Sequence, residues 1–231
     1  MKTTWPILAI GDIHFPFQSQ DSLDFAYSFI KEKKPKVIIQ MGDLFDFYAH
    51  SRFPKRLRLT AEQEVELGHS LAKKFWAKVR KLAPKAKLYQ LRGNHDARPR
   101  KRIIEAIPEI LAVYQEKDLW TYKGVESVLE NEIIINGIVF EHGYLSKLGD
   151  HLAKNDFMPT VRAHSHTGGV HYRRVGKGEG RVTWELDVGY LADPFSPELI
   201  YRPSKKFFKW TQGLGFIDAN GPAFVPRRNQ K

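Results

Sequence analysis

The chain has 231 residues, 42% of them hydrophobic and 13% aromatic, enough to bury a substantial core and to exclude a disordered polyelectrolyte. It contains no cysteine, which excludes disulfides and thiolate metal sites and leaves oxygen and imidazole nitrogen as the only metal ligands. A formal net charge of +11 points to a polyanionic partner, and no run of 18 apolar residues is present to cross a membrane. Met1 to Ile10 lacks the apolar core of an export signal, so a cytoplasmic protein is expected.

Taken in order, the chain opens with a strand over Trp5 to Ala9 and the loop GDIHFPF. Asp21 or Ser22 is expected to cap a helix running to about Lys34, with Phe25, Phe29 and Ile30 on one face. Val37 to Ile39 reads as a short buried strand between Pro35 and Gly42, and it carries Asp43 and Asp46 at its tip. Thr60 starts a long helix with Gln63 completing a capping box, Pro84 ends it, and Leu88 to Leu91 forms a third strand. This alternation predicts an α/β layered fold whose first sheet is largely parallel.

Beyond Asp96 a basic run, Arg98 to Arg102, leads into a short helix stopped near Pro108. Strands then dominate, with a hairpin of Glu132–Ile135 and Ile138–Phe140 turned by Asn136-Gly137. EHGY, a helical segment over about Leu145 to Lys154, and a strand Thr160 to Ala163 leading into HSH follow. Gly168 to Val175 and Arg181 to Asp187 read as a hairpin around GKGEG. The tail from Ser196 is read as aromatic and proline-rich, with PRRNQK frayed at the end. No internal repeat or linker is evident, so residues 1–231 are expected to form a single domain.

Five of the nine histidines, His14, His95, His142, His164 and His166, stand beside or between small and polar residues at strand ends. Any one of them would be read as an ordinary structural histidine, as His50, His69, His151 and His171 are here. Interleaved with Asp12, Asp43 and Asn94 they offer a sulfur-free donor set suited to manganese, iron or zinc.

The blocks GDIH, GDLFD, RGNHD, EHG and AHSH, in this order from Asp12 to His166, resemble those of the calcineurin-like metallophosphoesterases. The resemblance implies a four-layered α/β/β/α sandwich of two mixed sheets with a two-metal centre at the sheet edge. Carried over by position, Asp12, His14 and His166 would hold one divalent ion, and Asn94, His142 and His164 the other. Asp43 would bridge them. The ions would be manganese first, with iron, zinc, magnesium or nickel as alternatives. His95 would protonate the leaving oxygen, Asp96 would orient it, and Asp46 would sit behind the ligands. Two ions about 3.5–4 Å apart can clamp a phosphate and acidify a water between them. Two departures stand out: Ala163 replaces the usual glycine of the last block, and Asp187-Val188-Gly189-Tyr190 stands where the family often has Asn-x-Gly-Ser.

For the substrate, Arg92 ahead of GNHD resembles the family's protein-phosphatase branch, where such an arginine contacts phosphate. Its alternative is packing against the sheet. Arg52, Arg56 and Arg58 on one side and Arg98, Arg100 and Arg102 on the other could form a track for DNA or RNA, with Phe47, Tyr48 and Phe53 stacking on bases. Phe207, Phe208 and Trp210 with neighbouring lysines make a second aromatic and basic patch. Three readings follow: a nuclease or related phosphodiesterase, a phosphatase of phosphoprotein or small molecules, and an inactive metal-bound binding module. Charge favours the first and Arg92 the second, while the intact set of ligands and His95 opposes the third.

Overall fold

The structure, a computed structural model, describes residues 6–51, 59–112, 121–130, 132–145, 147–199 and 210–228. Strand β1 (Ile7–Ile10) is followed by helix α1 (Gln20–Lys33), β2 (Val37–Gln40), helix α2 (Ala61–Leu82) and β3 (Lys87–Leu91). Helix α3 (Arg98–Ala106) and β4 (Glu126–Val128) complete this half. The second half holds β5 (Glu132–Ile135), β6 (Ile138–Glu141), helix α4 (Asp150–Lys154), β7 (Thr160–Arg162), β8 (Gly169–Val175) and β9 (Arg181–Asp187). Strands β10 (Gly213–Asp218) and β11 (Gly221–Pro226) close the chain.

The strands form two mixed sheets, ordered β11-β10-β1-β2-β3-β4 and β5-β6-β7-β9-β8. In the first, β1 to β4 run parallel, joined by helical crossovers. Every residue of β1 and β2 is buried, because both faces of this sheet are covered. Leu8, Ile10, Ile38, Leu88, Leu214 and Phe216 pack towards α1 and α2. Ile7, Ala9, Val37, Ile39 and Ile217 meet Phe140, Val161 and Leu186 of the second sheet. Helix α4 lies on the outer side of that second sheet, its His151 and Leu152 N–H groups donating to Glu185. The result is the four-layered sandwich expected.

Local chemistry accounts for most element ends. Thr60 and Gln63 form the capping box of α2 with reciprocal bonds of 3.2 and 3.0 Å. The cap of α1 is Ser19 rather than Asp21 or Ser22; its hydroxyl accepts the Ser22 N–H at 3.3 Å. The segment from Leu145 is helical only from Asp150, since Gly149 at φ +98° turns the chain into α4.

The tail departs most from the sequence reading. Residues 213–226 form a hairpin whose first strand pairs antiparallel with β1, Ile7 opposite Ile217. Glycines and prolines depress its strand propensity, yet Gly215 is needed: a Cβ there would lie 2.6 Å from Val188 of the facing sheet. The end is tied rather than frayed as far as Arg227, whose N–H donates to Gln212 and whose guanidinium reaches Asp21 at 3.0 Å. Among the described residues no helix is long and apolar enough to cross a membrane.

Candidate metal centre

The loops after β1, β2, β3, β6 and β7 leave the same edge of the two sheets, where parallel strands deliver side chains into a crevice. These loops are strained. Asp12, His14, Asp43, His164 and His166 all have φ between +50° and +71°, a left-handed backbone that costs side-chain-bearing residues roughly 1–3 kcal/mol each. Such strain persists where surrounding bonds over-determine it. His164 N–H donates to Asp12 Oδ2 at 3.0 Å, His95 N–H to Asp43 Oδ1 at 2.7 Å, and His14 N–H to the Asp43 carbonyl at 3.0 Å.

The polar tips converge on two adjacent points. Around the first lie Asp12 Oδ1, His14 Nε2 and His166 Nε2, with His166 3.3 Å and His14 3.8 Å from the Asp12 oxygen. Asp12 Oδ1 and His14 Nε2 are buried without a hydrogen-bond partner. Around the second lie Asn94 Oδ1, His142 Nε2 and His164 Nδ1, at 3.0 and 2.7 Å from one another through the Asn94 oxygen. Asp43 Oδ2 stands between the two groups, 3.3 Å from His142 Nε2 and 4.0 Å from His14 Nε2. Thus all seven residues expected as ligands meet in one place.

This donor set fits cations. His142 Nδ1 must donate to the Met41 carbonyl at 3.0 Å, so its Nε2 lone pair faces two oxygens. His14 Nδ1 likewise donates to Asp46 at 2.9 Å, leaving Nε2 towards Asp12 and Asp43. Lone pairs gathered so closely repel unless a positive charge sits among them. Ligand atoms about 2.1 Å from one divalent ion and at right angles would lie about 3.0 Å apart, as the second group does. The electrostatics of the site point the same way. Burial would raise the acids Asp12 and Asp43, but the surrounding histidines hold both well below the carboxylate range. Burial would lower His14 and His142, yet the acids lift them to about 10 and about 9. The field invites a cation, whether proton or metal.

His95 is oriented by Asp46 and not by Asp96. Its Nδ1 lies 2.9 Å from Asp46 Oδ1, the oxygen that also accepts from His14. A carboxylate only accepts, so both Nδ1 atoms carry hydrogen and His95 presents Nε2 outwards. Burial, the largest influence, lowers the basicity of His95 despite the nearby acids. Asp96 points the other way and accepts the N–H groups of Leu44, Phe45 and Gly93 at 3.3, 2.9 and 2.8 Å, clasping two strand tips together. Burial and the charge of Asp43 push its carboxyl up to about 7.

The arginine that meets this dyad is Arg98. Its Nη1 donates to the Asp46 carbonyl at 2.9 Å and its Nη2 lies 2.9 Å from His95 Nε2. Arg92, expected to contact phosphate, lines an adjoining crevice of about 350 Å³ with Asn94, Lys101, His142 and Lys154. Arg98, Lys101 and Arg102 share one face of α3 and line a crevice of about 470 Å³ that reaches Asn94. Arg100 does not line it. Lys101, part of the basic run from Arg98 to Arg102, falls on that face through the helical spacing i, i+3, i+4.

Tyr48 cannot stack on bases, and nor can Phe47. Both are buried: Tyr48 meets Phe17 edge-on, Phe47 packs on Phe45, and the Glu64 carboxylate holds the turn by accepting the Tyr48 and Ala49 N–H groups. Arg52, Phe53, Arg56 and Arg58, with Phe207, Phe208 and the lysines beside them, lie outside the described residues. Trp210 packs edge-on to His166 at 4.5 Å, while Tyr190 stacks on the same ring at 5.0 Å. Tyr190 stands in the departure from Asn-x-Gly-Ser, so this position supports the HSH loop by stacking. Asp187 supports it by accepting from Ser165 and from the Gly168 and Gly189 N–H groups.

A buried polar chain braces the outer face. Glu141, next to His142, accepts from His151 at 2.6 Å, from Asn155 at 2.8 Å and from Lys154, and Arg162 bonds Glu185 at 2.6 Å. Burial would raise the Glu141 carboxyl, but these donors bring it from 4.5 down to about 2. Glu141 therefore contributes stability that is complete above pH 4.5 and is lost as the pH falls toward 2. Unfolding free energies from urea titrations between pH 6 and 2.5 should fall more steeply in wild type than in Glu141→Gln, by up to about 3 kcal/mol. Parallel curves would rule this coupling out.

The Gene 54 proteins of Mycobacterium phages L5 and D29 are each 23% identical to this chain, over 95% of its length and 92% of theirs. Among solved structures, YfcE, a phosphoesterase from E. coli, is 13% identical at a TM-score of 0.48, covering 98% of this chain and 95% of its own. Zinc-complexed Vps29 of Entamoeba histolytica is 14% identical at 0.49, over 98% and 94%. Pseudomonas putida nuclease MPE is 15% identical at 0.40, over 96% and 87%. The family model for calcineurin-like phosphoesterases matches residues 6–205, every strand-tip block included, and the chain belongs to that family of metal-dependent phosphate-ester hydrolases.

Proposed function

We propose that this chain, as a single domain, is a two-metal phosphodiesterase acting on nucleic acid. Asp12, His14 and His166 would hold one ion, Asn94, His142 and His164 the second, with Asp43 between them. Bound divalent ions would supply Lewis-acid polarisation of the phosphate and a water acidified towards the nucleophile. The protein does the rest. Asp46 keeps the Nδ1 proton of His95 in place and stabilises the imidazolium, so that Nε2 can deliver a proton to the leaving oxygen. Asp96 holds the loops after β2 and β3 at a fixed spacing.

The observation that supports the substrate reading is the cationic pair Arg98 and Lys101 on one face of α3, along a crevice opening at Asn94. A polymer of phosphates uses such a face and a small monoester does not. The test is the purified protein with manganese on single-stranded DNA, duplex DNA, RNA, bis-p-nitrophenyl phosphate and p-nitrophenyl phosphate. Cleavage of oligonucleotides and the diester is expected to exceed that of the monoester. The reverse preference would establish the phosphatase reading instead.

Metal should also stabilise the fold, because it satisfies the buried lone pairs of Asp12 and His14. After chelation, manganese at a hundredfold excess over its Kd should add about 2.7 kcal/mol to the unfolding free energy. Titration calorimetry should give two equivalents; one equivalent, or an unshifted melting curve, would contradict the paired site.

A further inference from the structure

We infer that the crevice between α3 and the Tyr48–His50 turn is the subsite for the phosphate next to the scissile one, on the leaving-group side, with Arg98 and Lys101 as its cations. This rests on the nucleic-acid reading above. Asp46 occupies Nδ1 of His95, so Nε2 is the atom that faces the leaving oxygen. Arg98 Nη2 lies 2.9 Å from that Nε2. A leaving strand that takes its proton there must depart across Arg98, and the crevice of about 470 Å³ begins at that point. Its volume is within the roughly 300–1,000 Å³ usual for a small-ligand site.

The cations along the crevice are not equivalent. Arg102 is spent on structure, donating to the carbonyls of His50 and Ser51 at 3.2 and 3.1 Å with Glu105 3.6 Å away. It builds the wall. Arg98 is anchored by the Asp46 carbonyl and can turn its Nη2 from His95 to an incoming oxygen. Lys101, one helical turn further, is exposed, and its ammonium forms no ion pair among the described residues. It is the cation placed to meet a phosphate about one residue beyond the reacting one. Ile104 offers an exposed apolar surface beside it for a base. The crevice on the other side of Asn94 is lined by Arg92, Lys101 and Lys154, the last paired with Glu141, but it does not include Arg98, the arginine that meets His95 Nε2.

The experiment uses a dinucleoside monophosphate and two derivatives, one with an added terminal phosphate on the 5′ end and one on the 3′ end. Cleavage products reveal which oxygen leaves. With manganese, the added phosphate on the leaving side should raise kcat/KM about tenfold, the scale of one charge-assisted contact, and that on the other side should not. In Lys101→Gln the ratio with and without the phosphate should fall to near one, while Lys177→Gln, the same charge change on the β8–β9 turn, keeps it. Independently, binding of a labelled single strand to the metal-free protein should lose about 0.7 from its salt slope in Lys101→Gln. Equal rates for all three substrates, a gain on the opposite side, or a ratio kept in Lys101→Gln would each overturn the subsite. Hydrolysis of bis-p-nitrophenyl phosphate with no cleavage of any dinucleotide would overturn the nucleic-acid reading, and the subsite with it.

Discussion

Gly93→Ala is expected to destroy the centre and much of the protein's stability. A Cβ at this position would lie far inside van der Waals contact with both the side chain and the backbone nitrogen of Asp43. Neither can yield. The nitrogen belongs to the tip of β2, and the carboxylate is held by the His95 N–H at 2.7 Å. The loops after β2 and β3 would have to separate, breaking the clasp that Asp96 makes with Phe45 and Gly93. Overpacking typically costs 1–3 kcal/mol, and lost buried hydrogen bonds bring the expected total to about 3–5 kcal/mol. Gly137→Ala is the control: its φ of +74° strains an alanine, but nothing lies within 4 Å, so about 1–2 kcal/mol is expected. Chemical denaturation reads both, and calorimetry with manganese reads the site. A Gly93→Ala protein with a normal midpoint and two bound ions would show that the loops can move apart freely.

His95→Asn should lower kcat by about 10²–10⁴ while leaving metal stoichiometry intact, because the imidazole supplies a proton and not a ligand in the proposed mechanism. The loss should shrink for p-nitrophenyl esters, whose leaving group needs little protonation. Asp46 and Asp96 then separate by their effects. Asp46 Oδ1 accepts from both His14 and His95, so Asp46→Asn should reduce turnover with the same leaving-group dependence and also weaken the ion near His14. Asp96→Asn should lower stability and metal affinity together, with no leaving-group dependence, since its carboxylate accepts backbone N–H groups of the two loops and does not bond the His95 ring. Leaving-group dependence in Asp96→Asn and not in Asp46→Asn would reverse the assignment of the dyad.

Much of this was written locally. Short apolar runs ending in glycine and an acid or histidine mark strands that finish at a functional edge, and Thr60 with Gln63 marks the start of α2. Those signals need only neighbours in the chain, because steric limits on the backbone and the search for hydrogen-bond partners act over a few residues. The candidate ligands were legible for the same reason: all seven sit on the loops that follow five strands, and parallel strands all end on one side.

What tertiary structure alone decided are the pairings between distant segments. Asp96 adjoins His95 in sequence, yet the 49-residue-distant Asp46 is its partner, since adjacent side chains leave the backbone in different directions. Arg98 rather than Arg92 meets His95, because α3 folds its first turn back over the loop after β2. Tyr48 has the composition of a base-stacking residue but is drawn into the core by Glu64 and Phe17. The tail hairpin is hidden by its glycines and prolines, and only the open edge of β1, more than 200 residues away, gives it a ladder to join. In each case the deciding energy is a contact made after the chain has closed a long loop, and no local propensity records it.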